Sequence, residues 1–292
     1  MATISRCVYN DVEPHHLGGG VVLFENAVSF DEEWVVGFSE RQVSSERDAM
    51  YASAIDPETG KTGYLNKSGY FFDADAVNNM PRRGSAIHHN TDSNVIDFLN
   101  LIEQHKDAYL LKYLFMFPLA YKNIWWKVKG HLVAYSTEFG GKLLGLHSDT
   151  SADYAYGFTQ PSDQLATRNT ISCIVYFNDN FDGGHHYFNY LDIDYTPNKG
   201  DIMMFPSNFM ASHEVKEITR GNRYTYLGWY AQGTPNAAVN EDVTDPITEP
   251  EFVKVATNVY MPNLRENFKL YLEQHDPSGS HPGHTLVSRM HS

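Results

Sequence analysis

His147 and Asp149 have the residue types and the spacing of metal ligands, two positions apart in the stretch Leu143-Leu144-Gly145-Leu146-His147-Ser148-Asp149-Thr150. On a strand, residues i and i+2 point to the same face, so the imidazole and the carboxylate would meet a single ion. A third ligand stands far along the chain at His213, inside Phe-Pro-Ser-Asn-Phe-Met-Ala-Ser-His-Glu-Val. Two histidines and one carboxylate leave the opposite coordination positions open, an arrangement that suits non-haem Fe(II) binding a co-substrate and O2. Ten residues further on comes Arg223, a guanidinium able to clamp a distal carboxylate at two points. Arg220 is three residues earlier, and odd spacing on a strand would put it on the opposite face.

Each of these residues alone has an ordinary explanation. A hydrogen-bonded histidine and a turn aspartate occur on any β-protein, and a lone His-Xaa-Asp is a weak signal. The same three ligands could also hold zinc in a hydrolase, but that chemistry needs a positioned general base and has no use for Arg223.

Taken in order, the residues form four blocks. They are Tyr135, Gly140 and His147-Ser148-Asp149; Thr170 to Asn178 followed by Gly183-Gly184; Gly200-Asp201 with Phe205-Pro206 and His213; and Gly221, Arg223 and Trp229. With these blocks, residues 125 to 232 resemble the Fe(II)/2-oxoglutarate-dependent dioxygenases, in their prolyl-hydroxylase-like branch. The resemblance implies an α+β fold with a double-stranded β-helix (jelly-roll) core and flanking helices. It implies Fe(II) on His147, Asp149 and His213, with 2-oxoglutarate and O2 as co-substrates and ascorbate as an optional addition. Arg223 matches the family residue that holds the far carboxylate of 2-oxoglutarate, and Tyr176 and Tyr135 match tyrosines that reach the co-substrate. Either tyrosine could equally be a core aromatic with a satisfied hydroxyl. The implied reaction couples decarboxylation of 2-oxoglutarate to hydroxylation of an unactivated C–H bond. In related halogenases a small residue replaces the carboxylate, so Asp149 favours hydroxylation. The substrate is left open between a prolyl residue in a protein and a free amino acid or other small metabolite. The alternative is a jelly-roll protein that binds a metal or ligand without catalysis.

Two departures from the family pattern stand out. His185-His186 follow Gly183-Gly184 where an acidic and an aliphatic residue are common; they could face the site or merely occupy a strand, and we favour the strand reading, since three ligands already satisfy the metal. The segment Ser151 to Arg168 is rich in Tyr, Gly, Ser and Gln and follows Asp149 directly. Active-site lids are drawn from such loops, which makes Tyr154, Tyr156 and Arg168 candidate substrate contacts.

The elements that must position these residues follow from periodicity and punctuation. Ser29 and Glu32 have capping-box spacing ahead of Trp34, Val35 and Phe38, which predicts a helix over about 30–43. Residues 44–92 are polar and long for a structureless loop, so short strands or a flap are expected there. His88 and His89 lie within that stretch and read as solvated. A second helix is expected from about Asn94 to Tyr113, ended by Pro118. From Trp125 the period changes to two, with strands at 126–129 and 131–135 and further short strands through Tyr230. We divide the chain into N-terminal helices and loops (1–124), a catalytic core (125–232) and a C-terminal part (233–292). That last part should hold a linker, a helix from Leu264 to His275 and a disordered tail with incidental histidines His281, His284 and His291.

Composition sets the outer limits. At 292 residues the chain suits one or two domains, and 42% hydrophobic with 20% charged residues is ordinary for a soluble protein. A net charge of −14 disfavours nucleic acid, whose binding runs on Lys and Arg. Two cysteines, Cys7 and Cys173, make no disulfide framework, and Cys173 sits in a buried-strand pattern. No apolar run reaches spanning length, so we expect a cytoplasmic protein that acts on a protein or small-molecule substrate, away from membranes; composition leaves its oligomeric state open.

Overall fold

The long strand Trp126–Ser136 is the spine of the molecule. In this computed structural model, residues 7–57, 59–66, 71–73, 81–84, 92–138, 141–150, 169–232 and 258–288 are described. Val128, Val133 and Tyr135 suit extended backbone, and the strand pairs antiparallel with Asn222–Ala231. Beyond that partner come Asn169–Tyr176, Ile202–Pro206, Val21–Phe24 and His15–Gly18. The spine's other edge is shared by Asn258–Tyr260 and Arg82–Gly84, which completes an eight-stranded sheet. The core therefore draws strands from both flanking segments as well as from 125–232.

A second sheet orders its four strands as Leu144–His147, His213–Val215, His186–Phe188 and Ile193–Tyr195. The period-two alternation of the large sheet decides what each face meets. Ile174, Tyr176, Met203 and Phe205 look inward onto Phe188, Tyr195 and Ala211 of the small sheet and its approaches. Cys173, Val175, Met204 and Tyr226 look outward and are covered by Val35, Phe38, Phe98, Leu99 and Ile102 of two helices. Each such buried side chain stabilises by roughly 1.5–3 kcal/mol. The result is a jelly roll backed by helices on one sheet.

Several local expectations need correction. The first helix is Glu32–Met50, longer than 30–43, and its cap is Asp31, whose carboxylate accepts from Trp34 N at 3.2 Å. Ser29 instead ends a short strand. The polar stretch after this helix contains the strands Tyr51–Ile55, Thr62–Asn66, Phe71–Asp73 and Arg82–Gly84. His88 and His89 lie outside the described residues. The second helix is Ser93–Met116, capped by Asp92 Oδ1 on Asn94 N at 2.9 Å. Pro118 ends it and opens a 3-10 turn, Pro118–Asn123.

The two strands expected at 126–129 and 131–135 are one strand, and Gly130 does not interrupt it. The ladder slips there instead: His131 faces Leu227, whereas Val128 faces Trp229. The Gly130 N–H freed by the slip donates to Glu103 Oε1 at 2.9 Å.

The C-terminal tail is also not without structure. After the helix Leu264–His275, a second helix, Pro282–Ser288, packs against that helix and the 3-10 turn Pro118–Asn123. Asp276 collects Ser278 Oγ and His281 N, and His281 stacks on Phe115 at 4.2 Å while its Nε2 meets Phe115 O at 2.8 Å. Tyr121 OH donates to Leu286 O at 2.7 Å. The Pro-Gly-Ser composition therefore marks tight turns that Asp276 organises, and His281 and His284 are not incidental. His291 lies outside the described residues. Both cysteines are buried thiols raised to about 12 by burial. No helix among the described residues is long and apolar enough to cross a membrane.

Candidate metal centre

His147 and His213 are direct cross-strand partners at the edge of the small sheet, with ring centroids 4.4 Å apart. Each ring is fixed by its own backbone. His147 Nδ1 lies 2.8 Å from Gly145 O, and His213 Nδ1 lies 3.0 Å from Ala211 O. A carbonyl only accepts, so Nδ1 carries the proton and Nε2 keeps its lone pair for a metal.

Asp149 arrives differently from the same-face argument. The strand ends at His147, and Asp149 lies in the bend that follows. Backbone and side-chain bonds pin that bend: Thr150 N donates to Ser207 O at 2.8 Å, and Asn169 Nδ2 donates to Asp149 O at 3.2 Å. Ser172 Oγ donates to Asp149 Oδ2 at 2.5 Å and is itself 2.9 Å from Ser207 Oγ. Asp149 Oδ1 then faces His147 Nε2 at 3.6 Å. One ligand atom from each of His147, Asp149 and His213 lies within 4.8 Å of the others. Two neutral imidazoles and one oriented carboxylate fit a divalent first-row metal with open positions. Burial holds His213 down to about 4, helped by His147 and opposed by Asp149, so it stays neutral at ordinary pH.

Arg223 lies on the inward face of Asn222–Ala231, directly opposite Tyr135. It is 1% exposed. Its guanidinium carbon sits 5.0 Å over the Tyr135 ring and 5.3 Å over the Tyr176 ring. One terminal nitrogen donates to Gly184 O at 2.8 Å, and Nε has no partner among the described residues. Among the described residues no carboxylate forms an ion pair with it. Gly184 itself adopts φ +66°, and a Cβ there would come within 2.2 Å of Ile218 Cδ1, so only glycine brings this carbonyl to the guanidinium. Tyr176 is buried, and burial raises its phenol above the ordinary value.

Arg220 is separated from Arg223 by a break at Gly221, where φ is +78°. It ends a different strand, Ile218–Arg220, is exposed and forms a two-point pair with Asp182 at 2.5 and 2.9 Å.

Residues that the sequence reading passed over also line this region. His186, expected as a plain strand residue, is 1% exposed and stacks on His213 at 4.7 Å. Its Nδ1 is 3.3 Å from Tyr176 OH, and burial, with His213 and Arg223 nearby, holds it well below the usual histidine value. His185 points outward to Asp194 at 3.2 Å. Ser172 carries a detectable signal, being a polar residue in phase with the apolar Ile174 and with Tyr176 in the middle of a buried strand. Tyr154, Tyr156 and Arg168 lie outside the described residues.

Residues 130–231 match the model of the 2OG-Fe(II) oxygenase superfamily. No curated protein sequence matches the chain. Among solved structures, it is similar to a Trichoplax adhaerens prolyl hydroxylase in complex with a hypoxia-inducible-factor peptide fragment, at 14% identity over 73% of this chain and 84% of that one, with a TM-score of 0.43. It is also similar to a Pseudomonas putida prolyl-4-hydroxylase, at 15% identity over 70% and 86%, TM-score 0.41. A viral collagen prolyl hydroxylase from Paramecium bursaria Chlorella virus 1, in a 2OG complex, matches at 13% identity over 53% and 81%, TM-score 0.39.

Proposed function

We propose that this chain, whose residues 130–231 belong to the 2OG-Fe(II) oxygenase superfamily, hydroxylates an unactivated C–H bond with Fe(II), 2-oxoglutarate and O2. The observation that carries the proposal is Arg223. A guanidinium that is 1% exposed and has no carboxylate partner among the described residues is costly unless an anion completes it. It lies on the inner wall of the same jelly roll as three converging metal ligands. A dicarboxylate that reaches both the metal and Arg223 accounts for both. A zinc hydrolase or a passive binding module leaves Arg223 unexplained.

When bound, Fe(II) with 2-oxoglutarate and O2 supplies the oxidising chemistry, one oxygen atom going to the substrate and one to succinate, with release of CO2. The chain's own residues hold the geometry. His147, Asp149 and His213 would hold the ion with one ligand atom each, and Ser172 fixes the rotation of Asp149. Arg223, between the buried rings of Tyr135 and Tyr176, would hold the far end of the co-substrate away from water, where such a pair is strong.

The substrate is a prolyl residue in a protein or a free amino acid or other small metabolite. The test incubates Fe(II)-loaded protein with 2-oxoglutarate and candidate substrates and follows succinate and product mass. The expected result is a product heavier by one oxygen atom, abolished in Asp149→Ala and His213→Ala. Undiminished turnover in either variant overturns the assignment.

A further inference from the structure

His186 is a deeply buried polar group that neither the metal triad nor the Arg223 contacts employ. Its ring packs on His213 at 4.7 Å, Phe188 at 4.9 Å and Phe205 at 5.6 Å, and it is 1% exposed. Its nitrogens are not among the atoms that converge on the metal position. Nδ1 is engaged by the Tyr176 hydroxyl at 3.3 Å, but Nε2 is buried with no partner among the described residues. An orphaned buried nitrogen costs about 1–3 kcal/mol, so a residue serving only to fill this space would be better as Leu or Phe. The Tyr176 hydroxyl has two acceptors in reach, His186 Nδ1 at 3.3 Å and Met203 Sδ at 3.8 Å; an imidazole nitrogen is the stronger acceptor, and assigning the hydroxyl proton to it puts the ring proton on Nε2. Among the described residues the inner wall then holds two unspent N–H donors, His186 Nε2 and Arg223 Nε. Two buried donors on one wall describe a site for a ligand that offers acceptors, as a 2-oxo dicarboxylate does.

We propose that His186 binds the co-substrate: its Nε2–H donates to a carboxylate or oxo oxygen of 2-oxoglutarate, while its Nδ1 holds the Tyr176 hydroxyl in place. This rests on the oxygenase reading of the site. It assigns His186 a binding role that its place in the strand His186–Phe188 conceals.

The test is anaerobic titration of the Fe(II)-loaded protein with 2-oxoglutarate, read by equilibrium dialysis and by the visible metal-to-ligand charge-transfer band. Wild type is compared with His186→Gln, which keeps a donor near Nε2, His186→Asn, whose donor lies near Nδ1, and His186→Leu. Wild type and His186→Gln should bind within about threefold of each other, and Asn and Leu about tenfold or more weakly, as for loss of a hydrogen bond to a charged group. Iron affinity, measured separately, should stay within about threefold throughout, since no ligand is removed. If His186→Leu does not fold, the contrast between Gln and Asn decides. Tight 2-oxoglutarate binding by the Leu or Asn variant, or equal weakening by Gln and Asn, overturns the role of His186 alone. A wild-type protein that binds Fe(II) but no 2-oxoglutarate overturns the oxygenase reading, and this inference with it.

Discussion

Ser172 shows how much of a metal site lies outside its ligands. Its hydroxyl holds one oxygen of Asp149 and is held in turn by Ser207, so the other oxygen is directed to the histidines before any ion arrives. Losing an outer hydrogen bond of this kind typically costs 10–100-fold in metal affinity. Ser172→Ala should therefore weaken Fe(II) binding by about tenfold or more while leaving thermal unfolding of the metal-free protein little changed; unchanged iron affinity in a calorimetric titration would count against this ordering role. The two arginines give a second contrast. Arg223→Ala should weaken 2-oxoglutarate binding by about 2–5 kcal/mol, because it strips a buried anion of its partner. Arg220→Ala should leave that binding as it is, because Arg220 pairs with Asp182 in solvent. Equilibrium dialysis of both variants decides, and the reverse ranking would place the co-substrate elsewhere.

At the level of elements, single turns decide where side chains go. The positive φ of Gly221 splits what reads as one arginine-bearing strand into two, and it is this split, as much as odd spacing, that sends Arg220 out and Arg223 in. The C-terminal helix Pro282–Ser288 depends on equally local devices. His281 ties it to the long helix through Phe115, by one hydrogen bond and one ring stack. His281→Ala should cost about 1–2 kcal/mol, concentrated in this region. Hydrogen exchange should show residues 282–288 losing protection before the sheets do; uniform protection in the variant would show that Leu286 and Tyr121 alone suffice.

For the molecule as a whole, the helix layer and the large sheet are joined by a buried charge cluster on the face away from the metal. Glu103 meets Lys106 at 3.0 Å and Lys127 at 3.5 Å, and Lys127 reaches Asp107 at 2.5 Å. Burial alone would raise Glu103, but Lys106, Lys127 and the Gly130 N–H overcome it and hold the carboxyl at about 2. A carboxyl lowered on folding contributes stability that is full above its ordinary value of 4.5 and is lost as pH falls through about 2. That shift corresponds to roughly 3 kcal/mol. Glu103→Gln should therefore be less stable than wild type at neutral pH by about 3 kcal/mol, with the gap closing as the solution is acidified below 4.5. Denaturant unfolding at several pH values checks it, and a gap independent of pH would mean that Glu103 acts through packing rather than charge.

Residue type and order were enough to nominate His147, Asp149, His213 and Arg223, because metal coordination and carboxylate recognition tolerate few side chains. Period-two patterning similarly marked the strands, and Leu264–His275 was readable from its apolar spacing. What the chain alone did not decide was how distant pieces meet. The pairing of His147 with His213 across sixty-six positions depends on strand register. Asp149 reaches the metal position from a bend that Ser172, Asn169 and Ser207 hold, none of them its neighbour in sequence. His186 looked like any strand residue until its ring was seen against His213 and Tyr176. Local chemistry is written in residue types and near spacing; burial, and with it the cost of an unpaired nitrogen or cation, exists only once the two sheets close on each other.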